Sequence, residues 1–160
     1  MSNITIIAAI GENRELGKNN SLIWYLPEDL KFFKSVTMNH PVIMGYNTLK
    51  SLPKTLPGRP YIVLTSKNLL DVDYKVIHSI DELLKYIETL DTEVMVIGGA
   101  SVYKSMLEYA STLYLTEIEA SDKDADTYFP EFNKDEWNVE TLSSHESPDG
   151  IKYRHRKYTR

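Results

Sequence analysis

One acidic side chain stands where it could do chemistry. Asp29 lies in the first turn of a segment that opens with Pro27, and proline followed by acidic residues is typical of a helix start. Spacings of four and seven residues put Phe33 and Val36 on the same helical face as Asp29. A carboxylate in apolar surroundings needs a partner, which a ligand with two parallel N–H donors would supply. Complementarity to the helix dipole explains Asp29 without any function, so both interpretations stay open.

Two further segments could hold a ligand. The apolar run Val94–Gly98 continues into Gly99 and a helix start, where glycines allow close backbone approach and free N–H groups attract a pyrophosphate. A tight turn is the competing interpretation. Arg59, which follows Pro57 and Gly58, could bind a substrate carboxylate in bidentate fashion, or it could be the solvated side chain of a surface turn.

Hydrophobic patterning predicts the elements that position these residues. Helical patterns cover Pro27–Met38 and Ser79–Leu90, and a third helix begins near Ser101. Strands that alternate with helices, then two long strands, predict an α/β fold whose sheet is mostly parallel with an antiparallel C-terminal edge. The eight predicted strands are Ile4–Ile10, Pro41–Gly45, Tyr61–Ser66, Tyr74–His78, Val94–Gly98, Thr112–Glu119, Trp137–Ser143 and Ile151–Tyr158.

Composition narrows the class of protein. A length of 160 residues with 42% hydrophobic and 26% charged residues predicts a single folded domain over residues 1–160. A net charge of −5 disfavours nucleic acid and anionic membranes as partners. The chain has no cysteine and no long apolar run, so we expect a cytoplasmic protein. Its four histidines lack partners at helical spacing, so no metal site is predicted.

The basic C-terminal segment, residues 152–160, alternates charged residues with Tyr153, His155 and Tyr158. This period of two predicts the solvated face of an edge strand rather than a nucleic-acid patch, and edge charge favours a monomer. A different function class is suggested by Ser101, which follows a strand as a hydrolase nucleophile does, with Asp126 and His145 after it. However, Tyr103 stands where that turn needs a second glycine.

As an ordered set, the motifs resemble those of dihydrofolate reductase over essentially the whole chain. They are Ile7-Ala8-Ala9, Leu16-Gly17, Trp24 to Lys34 with Leu26-Pro27 and Asp29-Leu30, Pro41 to Gly45, Thr48, Leu56 to Arg59, Val96 to Gly99, Val102-Tyr103, Leu113 to Thr116 and Asp126 to Pro130.

The resemblance implies an eight-stranded sheet with four helices. It implies reduction of 7,8-dihydrofolate to tetrahydrofolate with NADPH as cofactor, in support of one-carbon metabolism, and antifolate inhibitors as further ligands. Asp29 would bind the amino and ring N–H groups of the pterin and support protonation of its imine nitrogen. Leu22 and Trp24 would complete the catalytic set, with water admitted by the loop from Gly17 to Leu22.

The resemblance also assigns binding residues. Thr116 would support Asp29, and Arg59 would bind the glutamate α-carboxylate of the substrate. The other substrate-binding residues would be Ile7, Leu30, Phe33, Lys34, Leu52, Lys54, Leu56, Ile97 and Tyr103. The cofactor-binding residues would be Ala9, Leu16, Gly17, Asn20, Ser21, Gly45, Asn47, Thr48, Thr65, Ser66, His78, Gly98, Gly99, Ala100, Ser101, Val102 and Tyr103, with a cis peptide bond between the two glycines.

Some positions depart from the family pattern. Tyr46 and Ser101 stand where many relatives carry arginines near the adenosine 2′-phosphate, so Lys67 and His78 are candidate substitutes. Two other functions remain open: a nucleotide-binding module without catalysis, which would leave Asp29 unexplained, and the pyrimidine reductase of riboflavin synthesis. The segment Trp-x-Leu-Pro-x-Asp that ends at Asp29 argues against the second.

Overall fold

The computed structural model describes residues 3–52 and 56–160, in which strands and helices alternate along the first two-thirds of the chain. The elements, in chain order, are β1 (Ile4–Ile10), β2 (Glu15–Gly17), α1 (Pro27–Thr37), β3 (Val42–Gly45), α2 (Tyr46–Ser51), β4 (Tyr61–Leu64), β5 (Lys75–Ile77), α3 (Ile80–Glu88), β6 (Val94–Gly98), α4 (Ala100–Met106), β7 (Thr112–Ile118), β8 (Thr127–Tyr128), β9 (Asn138–Glu146) and β10 (Lys152–Thr159).

Eight of these strands form one sheet in the order β5-β4-β3-β6-β1-β7-β10-β9. Every pair from β5 to β7 is parallel, and β10 runs antiparallel to both of its neighbours. The predicted fold class, a mostly parallel sheet with antiparallel C-terminal strands and four helices, is confirmed. Connections through helices or long loops make the parallel pairs possible, whereas β9 and β10 form a hairpin.

The prediction that the basic C-terminal segment forms the edge strand is wrong. Strand β10 lies between β7 and β9, and β9 is the edge. The predicted alternation holds from Lys152 to His155, where Tyr153 and His155 are buried and Lys152 and Arg154 are exposed, but Tyr158, three residues after His155, is buried in the core on the opposite face. Period-two patterning shows which face of a strand is buried, but it does not show whether a further strand pairs with it.

Helices cover both faces of the sheet and create two apolar cores. On one face, α3 and α4 pack on β1, β6 and β7 around Ile6, Val96 and Leu113, all fully buried. On the other face, side chains of α1 and α2 pack over Val42 and Met95. Strands that are covered on both sides must be apolar along their whole length, as β1 and β6 are.

The shortest elements were not predicted from the sequence. The six-residue helix α2 and the two-stranded ribbon of β2 and β8 are too short to show a period. The longer α3 begins with a side-chain cap, since the Ser79 hydroxyl accepts a hydrogen bond of 3.1 Å from the Glu82 backbone N–H. In the part of the chain that the structure describes, no helix has the length and apolar character needed to cross a membrane.

Candidate active site

Three adjacent strands and one helix bring the Asp29 carboxylate into a polar cluster. Ala9 on β1, Thr116 on β7 and His155 on β10 stand side by side in register. The first turn of α1 places Asp29 above them, and its Oδ1 accepts hydrogen bonds from Thr116 Oγ1 at 2.5 Å and His155 Nε2 at 3.2 Å. The carboxylate is mostly buried, with 18% of its side chain exposed. The predicted pairing of Asp29 with Thr116 is therefore present.

His155 is a member of this site that sequence analysis missed. Its ring stacks on Phe32 of α1, with centroids 4.0 Å apart and planes 8° apart. Its side chain is only 2% exposed. The alternation of the C-terminal segment already put His155 on the face of Tyr153, so a buried histidine was foreseeable. Its contact with Asp29 was not, because 126 residues separate the two in sequence.

Most of the predicted substrate-binding apolar residues gather beside Asp29. Ile7 is buried, and the partly buried Phe33, Leu52, Leu56 and Ile97 pack in the same apolar cluster on the α1 face of the sheet. A narrow cleft opens from the carboxylate toward solvent, and Leu30 lies on it. It is also lined by Ala9, Leu16, Leu22, Trp24 and Asp29. The three residues predicted to be catalytic therefore line one opening.

The basic residues predicted to bind the substrate lie in different parts of the fold. Arg59 is 6% exposed, so its interpretation as a solvated surface side chain is wrong. Its Nε donates to the Pro57 carbonyl at 3.0 Å and its Nη1 to Thr37 Oγ1 at 3.3 Å. These bonds fix the guanidinium at the end of α1 and leave other N–H groups for a ligand. Lys34 lies in the last turn of the same helix, and Lys54 lies outside the described residues.

Tyr103, predicted to touch both ligands, connects α4 to the site strand. Its hydroxyl is buried and donates to the Ile7 carbonyl at 2.8 Å. Burial raises the pKa of the Tyr103 hydroxyl far above its usual range, because the phenolate would lose its hydration. Tyr103 therefore holds the helix that begins at the glycine pair against the strand that carries Ile7.

The loop that carries Gly17 to Leu22 is a tight turn fixed at two points. Lys18 and Ser21 exchange backbone hydrogen bonds, and Asn19 and Asn20 have positive φ angles, as in the favoured two-residue hairpin turn. The Asn19 backbone N–H donates to Asp126 Oδ2 at 2.8 Å. The Asn20 side chain donates to the Asn47 carbonyl at 3.1 Å, so two predicted cofactor segments meet here.

The glycine pair packs against α2. Gly98 and Gly99 are joined by a cis peptide bond, as expected. A Cβ on Gly98 would lie 2.9 Å from Thr48 Oγ1, and a Cβ on Gly45 would lie 3.2 Å from Val102 Cγ2. The carboxyl end of β6 therefore lies against α2, and that of β3 against α4, at distances that favour glycine. Ala100, exposed Ser101 and buried Val102 follow in α4.

Two lysine ammonium groups lie near the ring of Tyr46, which is at the start of α2. Lys50 Nζ lies 5.2 Å and Lys67 Nζ 5.1 Å from the centre of its ring. On the neighbouring β4–β5 end, His78 Nδ1 lies 2.7 Å from the Thr65 carbonyl oxygen, and exposed Ser66 follows. Positive charge therefore collects where the family pattern has an arginine, and Lys50 is a residue that sequence analysis did not name.

A larger hollow of about 780 Å³ lies away from this cleft, beside Glu12, Glu117 and Glu131. Four of its charged residues form two ion pairs. Arg14 binds Glu131 at 3.1 Å, and Arg154 binds Glu117 at 3.0 Å. The Asp29 cleft is smaller, but its carboxylate keeps an oxygen that no described residue donates to, and we therefore take it as the candidate active site.

Known proteins show the same pattern along the chain. The sequence model of the dihydrofolate reductase family matches residues 3–160. The chain belongs to the dihydrofolate reductase family. The dihydrofolate reductase of Buchnera aphidicola subsp. Schizaphis graminum is 45% identical over 130 residues, 81% of this chain and 80% of that protein. Those of Bacillus subtilis and Haemophilus influenzae are each 38% identical, over 85% of this chain and 80% and 84% of their own lengths.

Family membership and geometry both argue against Ser101 as a hydrolase nucleophile. Ser101 is exposed on α4, whereas His145 lies on β9 and makes its hydrogen bond to Ser143. Asp126 is engaged by the backbone of the Gly17–Leu22 loop. The serine, the histidine and the carboxylate therefore do not form the hydrogen-bonded chain that a nucleophilic serine requires.

Proposed function

We propose that the Asp29 site reduces 7,8-dihydrofolate to 5,6,7,8-tetrahydrofolate, the reaction of the dihydrofolate reductase family. The observation that carries this proposal is a mostly buried carboxylate whose Oδ1 is occupied and whose Oδ2 receives no hydrogen bond from the described residues. An ionised carboxylate offers about four lone-pair sites. Thr116 and His155 take two of them, and the remaining two match the amino and ring N–H donors of a pterin.

The apolar residues beside Asp29 suit the rest of the ligand. Ile7, Phe33 and Ile97 belong to the apolar cluster on the α1 face of the sheet, and Leu52 and Leu56 belong to the same cluster. An aromatic ring system bound there would lose its hydration on both faces, which strengthens the charge-assisted bonds to Asp29. Arg59, held by Pro57 and Thr37, would bind the α-carboxylate of the glutamate tail.

Reduction of the imine also requires a proton, and the residues of this chain would control it. The negative charge of Asp29 favours the protonated imine electrostatically. Leu22 is 60% exposed at the mouth of the cleft and Trp24 is partly buried inside it. Movement of the Gly17–Leu22 turn would open the cleft to a single water and close it again.

The family cofactor is NADPH, which supplies the hydride, and the residues present fit it. Gly98 lets Thr48 Oγ1 approach to a distance that a Cβ would block, and Gly45 lets Val102 pack closely, so α2 and α4 begin close to the strand ends where the phosphates would bind. Asn20 and Asn47 join the turn to α2 along the same edge. Lys50 and Lys67 on Tyr46, with His78 nearby, would hold the 2′-phosphate in place of the arginine that relatives use.

Oxidation of NADPH by the purified protein tests the proposal, with and without dihydrofolate, and with NADH in parallel. We expect oxidation that depends on dihydrofolate, is faster with NADPH and collapses in Asp29→Asn. Absence of that dependence with both cofactors would reject the function and turn attention to a pyrimidine substrate.

The proposal also covers domain organisation, oligomeric state, localisation and inhibitor binding. We infer that residues 1–160 form one domain that acts as a monomer in the cytoplasm, where folate and NADPH are available. Competitive antifolates with a diaminopyrimidine ring would bind Asp29 with the same pair of N–H donors. Size-exclusion chromatography with light scattering tests the monomer, and inhibition that is competitive with dihydrofolate tests the antifolate site.

A further inference from the structure

A hydrogen-bonded chain extends from Asp29 to the edge of the sheet. His155 Nε2 contacts Asp29 Oδ1 at 3.2 Å, and His155 Nδ1 contacts Ser143 Oγ at 3.1 Å. Ser143 Oγ in turn lies 3.0 Å from His145 Nε2. Ser143 stands opposite His155 in the β9–β10 register, so the sheet itself fixes this arrangement.

The chemistry of these groups determines which atom donates in each hydrogen bond of the series. An ionised carboxylate only accepts hydrogen bonds, so the proton between Asp29 and His155 must be on Nε2 of the histidine. In the neutral ring Nδ1 is then an acceptor, which the Ser143 hydroxyl satisfies by donating. The remaining lone pair of that hydroxyl accepts from His145. Every polar atom of the buried ring is thereby paired in one tautomer.

Packing fixes the same ring from a third side. His155 stacks on Phe32, three residues after Asp29 on α1, so the histidine touches both the carboxylate and the helix that carries it. Thr116 donates to the same Oδ1 from β7. Two donors on one oxygen, from two different strands, restrain the orientation of the carboxylate and leave Oδ2 without a donor from the described residues.

We propose that His155 is a positioning residue for the reductase reaction: its Nε2–H, together with Thr116, holds the Asp29 carboxylate in the plane that a pterin must meet. The inference rests on the proposed role of Asp29. Its physical basis is pre-organisation, since a carboxylate with one donor rotates about its side-chain bond and must be ordered when substrate binds.

Two substitutions separate hydrogen bonding from packing. His155→Phe keeps a flat ring on Phe32 and loses the donor, whereas His155→Gln keeps an N–H donor and loses the ring. We expect His155→Phe to lower kcat/KM for dihydrofolate by about tenfold, the size of a lost hydrogen bond to a charged group. We expect His155→Gln to recover most of that loss, and the KM for NADPH to stay unchanged in both.

Controls distinguish a specific effect from a general one. His40 is a partly buried histidine that contacts an acidic residue, Glu93, at 3.8 Å outside the site. His40→Gln should leave kcat and both KM values unchanged. Wild-type activity for His155→Phe, or an equal loss for His155→Gln, would overturn the proposal. If Asp29→Asn itself keeps its turnover, the proposed role of Asp29 fails instead, and the two failures are distinguishable.

Two measurements do not depend on turnover. Binding of dihydrofolate, followed by protein fluorescence, should weaken in His155→Phe but show no further loss when His155→Phe is added to Asp29→Asn. Nitrogen-15 NMR of the wild type, with the His155 signal assigned by its absence in His155→Gln, should show a proton on Nε2. A proton on Nδ1 alone, with Nε2 bare, would overturn the proposal even if His155→Phe did not fold.

Discussion

The two halves of the active site are built in different ways. Around Asp29, one side chain is held by side chains from α1, β7 and β10, most of them buried. Around Gly98 and Gly99, glycine backbone packs close to the Thr48 side chain of α2, and charge is spread over exposed lysines. We therefore expect function to depend on one charged group in the substrate half and on space and summed charge in the cofactor half.

The largest expected effect comes from removing that one charge. Asp29→Asn should lower kcat by roughly a hundredfold or more, the size of a lost acid–base or electrostatic contribution. Steady-state oxidation of NADPH in the presence of dihydrofolate measures it. The neighbouring Glu28 is exposed and bound to Lys31, so Glu28→Gln is a matched control that should keep wild-type kcat. Equal activity in the two variants would contradict the picture of a single essential charge.

In the cofactor half, the next largest effect should come from placing a side chain at Gly98. Gly98→Ala places a Cβ 2.9 Å from Thr48 Oγ1 at a backbone φ of +145°, a conformation that costs other residues about 1–3 kcal/mol. We expect a raised KM for NADPH and a lower unfolding midpoint. Gly150 also has a positive φ, but nothing lies near its Cβ position. Gly150→Ala should therefore affect stability alone, and a raised KM in that variant would show that backbone strain, not space, is responsible.

Arg59 should have an intermediate effect confined to the substrate. Arg59→Gln removes the charge that would meet the glutamate carboxylate, so we expect KM for dihydrofolate to rise by about tenfold with kcat retained. A substrate analogue without the glutamate tail is the control, because both enzymes should use it equally. A loss of kcat with the full substrate would place Arg59 in the positioning of the reacting ring instead.

The exposed charges of the cofactor half should each contribute little. Lys67→Ala should raise KM for NADPH by roughly two- to fivefold, the value of an exposed charge pair, and leave KM for NADH unchanged. Lys50→Ala and His78→Ala should behave similarly. Kinetics with both cofactors measure the difference. Unchanged NADPH constants in all three variants would show that the 2′-phosphate is bound elsewhere.

Tyr103, which connects the two halves, should affect the stability of the protein at high pH. Burial raises the pKa of Tyr103, so the folded state keeps the phenol proton at a pH where the unfolded state has lost it. The stability from this group is complete below about pH 10, the usual tyrosine pKa, and falls as pH rises above it. Tyr103→Phe should unfold about 1 kcal/mol more easily at neutral pH and lose less stability above pH 10, as denaturant titrations would show. Parallel curves for both proteins would contradict this assignment.

The fold class could be predicted from the sequence alone, and so could Asp29 as the centre of the proposed substrate half. Strands β1 and β6 have the bounds that their apolar runs predicted, because strands buried on both faces leave a continuous signal. Asp29 was recognised because its neighbours on a helical face are fixed by local spacing. The motifs of the cofactor half were ordered along the chain, so the resemblance to dihydrofolate reductase could place them.

Only the tertiary structure decided which groups meet. The contact of His155 with Asp29 depends on the order of β7, β10 and β9 in the sheet, and no local pattern records that order. The burial of Arg59 depends on Thr37, 22 residues earlier, and the charge at Tyr46 on Lys67 from another loop. Local spacing fixes the direction of a side chain, but the partner at its end comes from a distant part of the chain, which only packing brings close.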